Sequence, residues 1–186
     1  MRELLRHNLD ELSELLPKVA ELGPRLAELG ERMATCWDVG GKVLVAGNGG
    51  SCADAMHLAE ELSVRFKKNR RALAALALSD AAALTCAGND FGYERVFERQ
   101  VEALGRAGDV LIVLSTSGNS ENLVRAARAG RERGLMVAGL LGCDGGKLRS
   151  CCDLDLTVPC RSTARIQEMH KLLFHTLCEW VDRRYD

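Results

Sequence analysis

His57 and Glu61 stand four residues apart and carry the chain's clearest capacity for chemistry. On a helix that spacing puts both side chains on one face, about 6 Å apart along the axis. An imidazole and a carboxylate so placed can hold a divalent metal as an i,i+4 ligand pair, or move protons together; a solvated helix pair has the same spacing. Just ahead, Gly47-Asn48-Gly49-Gly50-Ser51 turns out of the apolar run 43–46 into a helical pattern with Met56, Leu58, Ala59 and Leu62 on its apolar side. A glycine-rich strand-to-helix turn lets backbone approach a ligand closely and aims free N–H groups at an anion. A second corner, Ser115-Thr116-Ser117-Gly118-Asn119-Ser120, follows the apolar run 110–114 and offers four hydroxyls, an amide and a glycine. Such groups at a helix start can hold a phosphate monoester without a lysine, or make an ordinary polar turn with Ser120 as cap. Neither corner is a nucleotide loop. The third glycine of GxGxxG would fall at Cys52, and no Gly-Lys-Ser/Thr triplet is present.

The elements that must position these groups follow from periodicity. Residues 3–38 repeat apolar side chains at three and four (Leu5, Leu9, Leu12, Leu16, Val19), break at Gly23-Pro24, and resume with Leu26, Leu29, Met33 and Trp37. This predicts an N-terminal helical hairpin, whose apolar stripe must cover the sheet or, as we favour, form a subunit interface. Strands and helices then alternate. Strands are predicted at 43–46, 73–78, 110–114, 137–141 and 154–158, and helices at 51–66, 79–87 (capped by Ser79), 93–104, 121–133, 147–150 and 161–184, with a loop at 88–92. Repeated strand–helix units predict a doubly wound parallel sheet with helices on both faces, its ligands at the carboxyl ends of the strands. Both corners belong to that end.

The 186 residues suffice for one domain with a real core, and 47% of them are apolar. A net charge of −1 with interspersed signs gives no basic stripe, so neither nucleic acid nor an acidic membrane surface is expected as a partner. No apolar run reaches membrane-spanning length. The eight cysteines form no paired CxxC motifs; they are expected as reduced thiols, mostly core fillers, of a cytoplasmic protein without a signal peptide. Cys52 stands out because it sits at the glycine turn.

Taken together, the motifs resemble one family. Gly47-Asn48-Gly49-Gly50-Ser51, Asp54-Ala55-Met56-His57, Ala59-Glu60-Glu61, Gly88-Asn89-Asp90, the 115–120 corner, Asp144-Gly145-Gly146, and Arg165-Ile166-Gln167-Glu168 with His175 fall in the order seen in phosphoheptose isomerases of the sugar isomerase (SIS) class. Seven motifs in register span nearly the whole chain. The resemblance implies a single SIS domain over residues 1–186, with helices to residue 38 and a five-stranded parallel α/β core from 39 onward ending in a long helix. It implies a homotetramer with active sites between subunits. It also implies conversion of D-sedoheptulose 7-phosphate to D-glycero-D-manno-heptose 7-phosphate, the first step toward nucleotide-activated heptoses of bacterial surface glycans.

By position, Ser51, Ser115, Thr116, Ser117 and Ser120 would hold the substrate, mainly its phosphate, with Asn48, Gly49, Gly50, Asn89 and Asp90 lining the same site. His57, Glu61, Gln167 and His175 match the family's ligands for one Zn2+ per subunit. Gln167 and Glu61 also match its substrate contacts, and Glu61 and His175 its proposed base and acid. Position 164 is Ala where some members carry an acidic residue. Two tensions follow from chemistry. A zinc-bound carboxylate is a poorer base, so Glu61 and His175 cannot bind metal and move protons at the same moment. Gln167 and His175, eight residues apart, are separated by about 12 Å along a regular helix; they must lean together, or the helix must bend, or different subunits must supply them. His170, three residues from Gln167, is the geometric rival. Related chains also serve as non-enzymatic adaptors that bind the bacterial replication initiator, but these tend to lose the equivalents of Glu61 or His175. A third possibility is an SIS isomerase of a pentose or hexosamine phosphate, which the segments 57–61 and 165–175 argue against.

Overall fold

A computed structural model describes residues Met1–Asp186. Two helices lead, α1 (Arg2–Ala20) and α2 (Gly23–Asp38). The chain continues through β1 (Val43–Gly47), α3 (Gly50–Ser63), β2 (Ala75–Ala77), α4 (Ala81–Phe91), a 3-10 turn (Tyr93–Arg95) and α5 (Glu98–Leu104). It ends with β3 (Val110–Ser115), α6 (Glu121–Glu132), β4 (Met136–Gly142), α7 (Gly146–Arg149), β5 (Leu154–Val158) and α8 (Thr163–Arg184). The five strands pair in parallel in the order β2-β1-β3-β4-β5.

Side chains two residues apart on a strand share a face, and the core divides accordingly. Val43, Val45, Val110, Ile112 and Leu114 pack with α2, α3 and α8 on one side. Leu44, Ala46, Leu111 and Val113 pack with α4, α5 and α6 on the other. Burial on both faces is why the central strands read as unbroken apolar runs. The edge strand β5 alternates instead, with Asp155 and Thr157 only half-buried. Connections from β1 and from β3 leave toward opposite edges of the sheet, so a crevice opens between the carboxyl ends of these two neighbours.

The N-terminal hairpin divides its labour. α2 buries Leu29, Met33, Ala34 and Trp37 against the sheet, whereas α1 buries only Leu15 and Val19 and leaves Leu4, Leu5, Leu9 and Leu16 exposed. Its break falls at 21–22 rather than at Gly23-Pro24. Pro24 lies in the first turn of α2, where a missing N–H leaves no bond unmade.

Five other expectations are corrected. α3 ends at Ser63 rather than residue 66, and β2 shrinks to three residues of an edge strand. Asp80, not Ser79, caps α4 by accepting from Ala83 N at 2.8 Å. Residues 88–91 are helical, not loop: packing against the neighbouring turn outweighs the weak helix propensity of Gly, Asn and Asp, and α4 stops only at Gly92. The helix foreseen over 93–104 is interrupted after its first turn, so that α5 starts at Glu98. Of the cysteines, all free thiols, Cys36, Cys151 and Cys178 are buried and Cys143, Cys152 and Cys160 pack half-buried against the core, whereas Cys86 is exposed.

Candidate active site

The β1–α3 turn sets the first wall. Gly49 takes φ +54°, ψ −120°, a conformation closed to residues with a Cβ, and α3 starts without any side-chain cap. Ser51 N and Cys52 N donate back to Asn48 O and Gly49 O, both at 3.0 Å, which leaves Gly50 N at the helix start to face a ligand. Asn48 reaches sideways to α6: its Nδ2 donates to Asn122 Oδ1 at 3.0 Å and its Oδ1 accepts from Asn122 Nδ2 at 2.9 Å. Tyr93 Oη donates to the same Asn48 oxygen at 2.9 Å. This amide pair ties the start of α3 to the start of α6 across the crevice between β1 and β3.

The serine corner forms the second wall. Ser115 is buried, and its Oγ accepts from Gly118 N at 3.0 Å; Ser117 Oγ accepts from Asn119 N at 3.2 Å. Ser120 stands at the N-cap of α6 without using its hydroxyl as a cap. The corner is braced from behind. Gly118 O accepts from Leu148 N at 2.9 Å, and Asn119 Oδ1 accepts from Lys147 N at 3.2 Å. Gly118 has φ +66°, and a Cβ there would lie 2.0 Å from Gly145 O. Two uncapped helix starts, α3 and α6, thus converge on a crevice edged with hydroxyls, an arrangement suited to a dianionic phosphate.

A cluster of proton-transfer and metal-ligand groups lies further down α3. His57 Nε2 and Glu61 Oε1 are 3.1 Å apart. His175 of α8 faces them, its ring centroid 5.0 Å from that of His57. One donor atom from each of the three residues lies within 4.8 Å of the others. Phe174 sets its edge against both imidazoles, and Phe66 stacks on His175 at 5.5 Å with 28° between the planes. Burial, and then the neighbouring His57, hold His175 below its ordinary pKa, so its ring is neutral with a lone pair to give. Two imidazoles and a carboxylate this close match the donor set of catalytic zinc, three protein ligands with a position left open. The residues present fit such an ion.

α3 and α8 run side by side in the same direction, and their contacts advance in step. Gln167 lies over Gly50, Lys171 Nζ meets Asp54 Oδ1 at 3.1 Å, and His175 faces His57. The upper part of this seam is a groove of about 390 Å³ lined by Gly50, Asp54, Gln167 and Lys171 among others. Gln167 therefore sits at the end of the seam beside the start of α3, with the Asp54–Lys171 pair between it and the His57–Glu61–His175 cluster. His57 is seven residues below Gly50, about 10 Å. The rival His170 is excluded by burial: it is fully enclosed, its Nε2 bonds Leu141 O at 3.0 Å, and desolvation lowers its pKa.

Asn89 and Asp90 are exposed in the last turn of α4 and bond each other at 2.7 Å. Ser51 is buried at the start of α3, Thr116 is half-buried, and Cys52 is a half-buried thiol whose pKa burial pushes up, opposite to an activated nucleophile. Asn122, Tyr93, Asp54 and Lys171 were not anticipated as site groups. The one signal for Asn122 was a polar residue in the first turn of an otherwise apolar helix face.

The comparisons with known proteins fall on this geometry. A family model described as SIS domain matches residues 7–142, which places the chain in the SIS domain class. The phosphoheptose isomerase of Aliarcobacter butzleri is 54% identical over 144 residues, 77% of this chain and 76% of that protein. That of Campylobacter jejuni is 53% identical over 151 residues, 81% of each. A solved phosphoheptose isomerase from Neisseria gonorrhoeae superposes with a TM-score of 0.91 at 42% identity, covering 98% of both chains. One from Francisella tularensis gives 0.93 at 35%, covering 97% of both. The chain belongs to the phosphoheptose isomerase family, as the seven motifs implied.

Gly118→Ala would force a backbone shift where the serine corner meets the 144–147 turn. We expect a loss of roughly 1–3 kcal/mol in unfolding free energy, read from urea denaturation. An unchanged midpoint would show that the corner is not held by this contact.

Proposed function

We propose that the chain is an aldose–ketose isomerase that converts D-sedoheptulose 7-phosphate to D-glycero-D-manno-heptose 7-phosphate in the cytoplasm. The observation that carries this is one helix, α3, whose start, without a side-chain cap, helps form a phosphate crevice while its third and fourth turns present His57 and Glu61 to His175. In this reading the 7-phosphate rests between the starts of α3 and α6, on Ser51, Ser115, Thr116, Ser117 and Ser120, with Asn48, Gly49, Gly50, Asn89 and Asp90 around it. Binding energy at this remote end orients the reacting carbons.

The reaction transfers a proton from C1 to C2 and a second from O1 to O2 through an enediol. Glu61 takes the carbon-bound proton and returns it to the neighbouring carbon, and His175 serves the oxygens; both act best with pKa values near the working pH. His57, Glu61 and His175, with Gln167 as fourth ligand, would hold a zinc ion, which supplies Lewis-acid polarisation of the carbonyl when bound. Glu61 and His175 could not ligate such an ion and handle protons at the same moment, so the ion would be weakly held. A non-catalytic adaptor would have no use for this donor cluster.

The same reading makes the enzyme a homotetramer with sites between subunits. The exposed leucines of α1 and Leu172 of α8 support it, as an apolar face in need of a partner. In this reading Gln167, which lies over Gly50 at the far end of its own subunit's seam, would complete a neighbour's cluster.

Incubated with sedoheptulose 7-phosphate, the purified protein should form the aldose heptose 7-phosphate, with activity lost to a chelator and restored by zinc. Glu61→Gln should lower kcat by about 10²-fold or more with little change in KM. No conversion with or without zinc would favour the adaptor reading, and an unchanged kcat would remove Glu61 from the chemistry. Leu5→Glu with Leu9→Glu should dissociate the tetramer in sedimentation; a wild-type tetramer that persists, or a wild-type monomer, would refute the interface.

A further inference from the structure

Between α3 and β2 the chain crosses residues 64–74 without regular structure, yet part of this segment is bound tightly to the last turns of α8. Asp182 is the anchor. It is buried, its Oδ2 accepts from Lys67 N at 2.9 Å and Lys68 N at 3.0 Å, and its Oδ1 accepts from Arg70 Nε at 3.0 Å. The Arg70 side chain is itself fully enclosed. Its remaining nitrogens donate to Glu61 O at 2.7 Å, Leu62 O at 3.0 Å and Arg71 O at 2.9 Å. Lys67 and Lys68 add ion pairs to Glu179 and Asp186. One carboxylate and one guanidinium thus close the carboxyl end of α3 onto α8, at the residue that supplies the catalytic carboxylate.

What this clamp holds in place is Phe66, immediately before the two clamped amides. Its ring lies on His175, while Phe174 sets its edge against the same imidazole. No hydrogen bond fixes the His175 ring, so its orientation toward His57 and Glu61 depends on these two aromatic rings. Phe174 is core and cannot move. Phe66 is half-buried and stays only as long as its loop does.

We propose that Phe66 is a positioning residue for His175, and that Asp182 with Arg70 is the clamp that keeps it stacked. A buried ion pair is a poor source of net stability compared with apolar packing. Its directional bonds to two backbone N–H groups and three backbone carbonyls suit the fixing of a loop. The inference rests on the role assigned to His175, and its test has a readout independent of activity.

Protons on a ring stacked over an aromatic face resonate upfield. In metal-free protein, the His175 ring protons should therefore lie upfield; only four histidines need assignment. Phe66→Leu should move them downfield and lower kcat about 10-fold, with KM within about twofold because the phosphate end is untouched. Phe66→Tyr should restore both. Asp182→Asn, whose amide turns N–H groups toward donors, should give the same downfield shift together with a lower Tm. A Phe66→Leu protein with the wild-type His175 resonance overturns the proposal, whatever its activity. So does an Asp182→Asn protein that loses stability while that resonance stays in place.

Discussion

The parallel packing of α3 against α8 is the constraint on which the rest of the site depends. Neither helix alone holds a complete set of groups. α3 carries an imidazole and a carboxylate; α8 carries the second imidazole and an amide. Only a seam in which Gly50 meets Gln167, Asp54 meets Lys171 and His57 meets His175 assembles three donors within 4.8 Å. Apolar contact supplies most of the adhesion, through Ala55, Leu58 and Leu62 on one side and Ile166, Leu173, Phe174 and Leu177 on the other. The polar contacts then set the register. Asp54–Lys171 fixes the middle, and Arg70–Asp182 fixes the foot.

The sheet supplies the other half of the arrangement. Because β1 and β3 are neighbours whose connections diverge, α3 and α6 begin on either side of one crevice. The Asn48–Asn122 amide pair bridges the two starts, and the 144–147 turn braces the serine corner from behind. A Cβ on Gly142 would lie 2.3 Å from Thr116 O and 2.5 Å from Ile166 Cδ1, so the corner and the first turn of α8 both press on the end of β4. The crevice between the helix starts and the His57–Glu61–His175 cluster thereby belong to one packed layer, and not to separate loops.

Much of this was legible in the sequence wherever the signal is local. The His57–Glu61 pair needs only one helix and a spacing of four. Glycine-rich corners after apolar runs announce their own geometry, and the five-stranded parallel sheet follows from alternating periods. The rest depends on which elements become neighbours. His175 could be assigned only through the family resemblance, because its partners lie on another helix more than a hundred residues away. Asn122 and Tyr93 enter the site only because α6 and the turn after α4 converge on Asn48. The Gly-Asn-Asp stretch at 88–90 misled for the same reason: it favours a loop in isolation, yet tertiary packing keeps it helical to Phe91. The capping of α4 by Asp80 rather than Ser79 is a one-residue choice that composition does not decide.

The most direct measurement is a crystal structure with a non-isomerisable, reduced analogue of the seven-carbon sugar phosphate. The phosphorus atom should lie between the starts of α3 and α6 against Ser115–Ser120, with C1 and C2 beside His57, Glu61 and His175 of the same or an adjoining subunit. A phosphate bound anywhere else, or a carbon chain leading away from the three donors, would contradict the site.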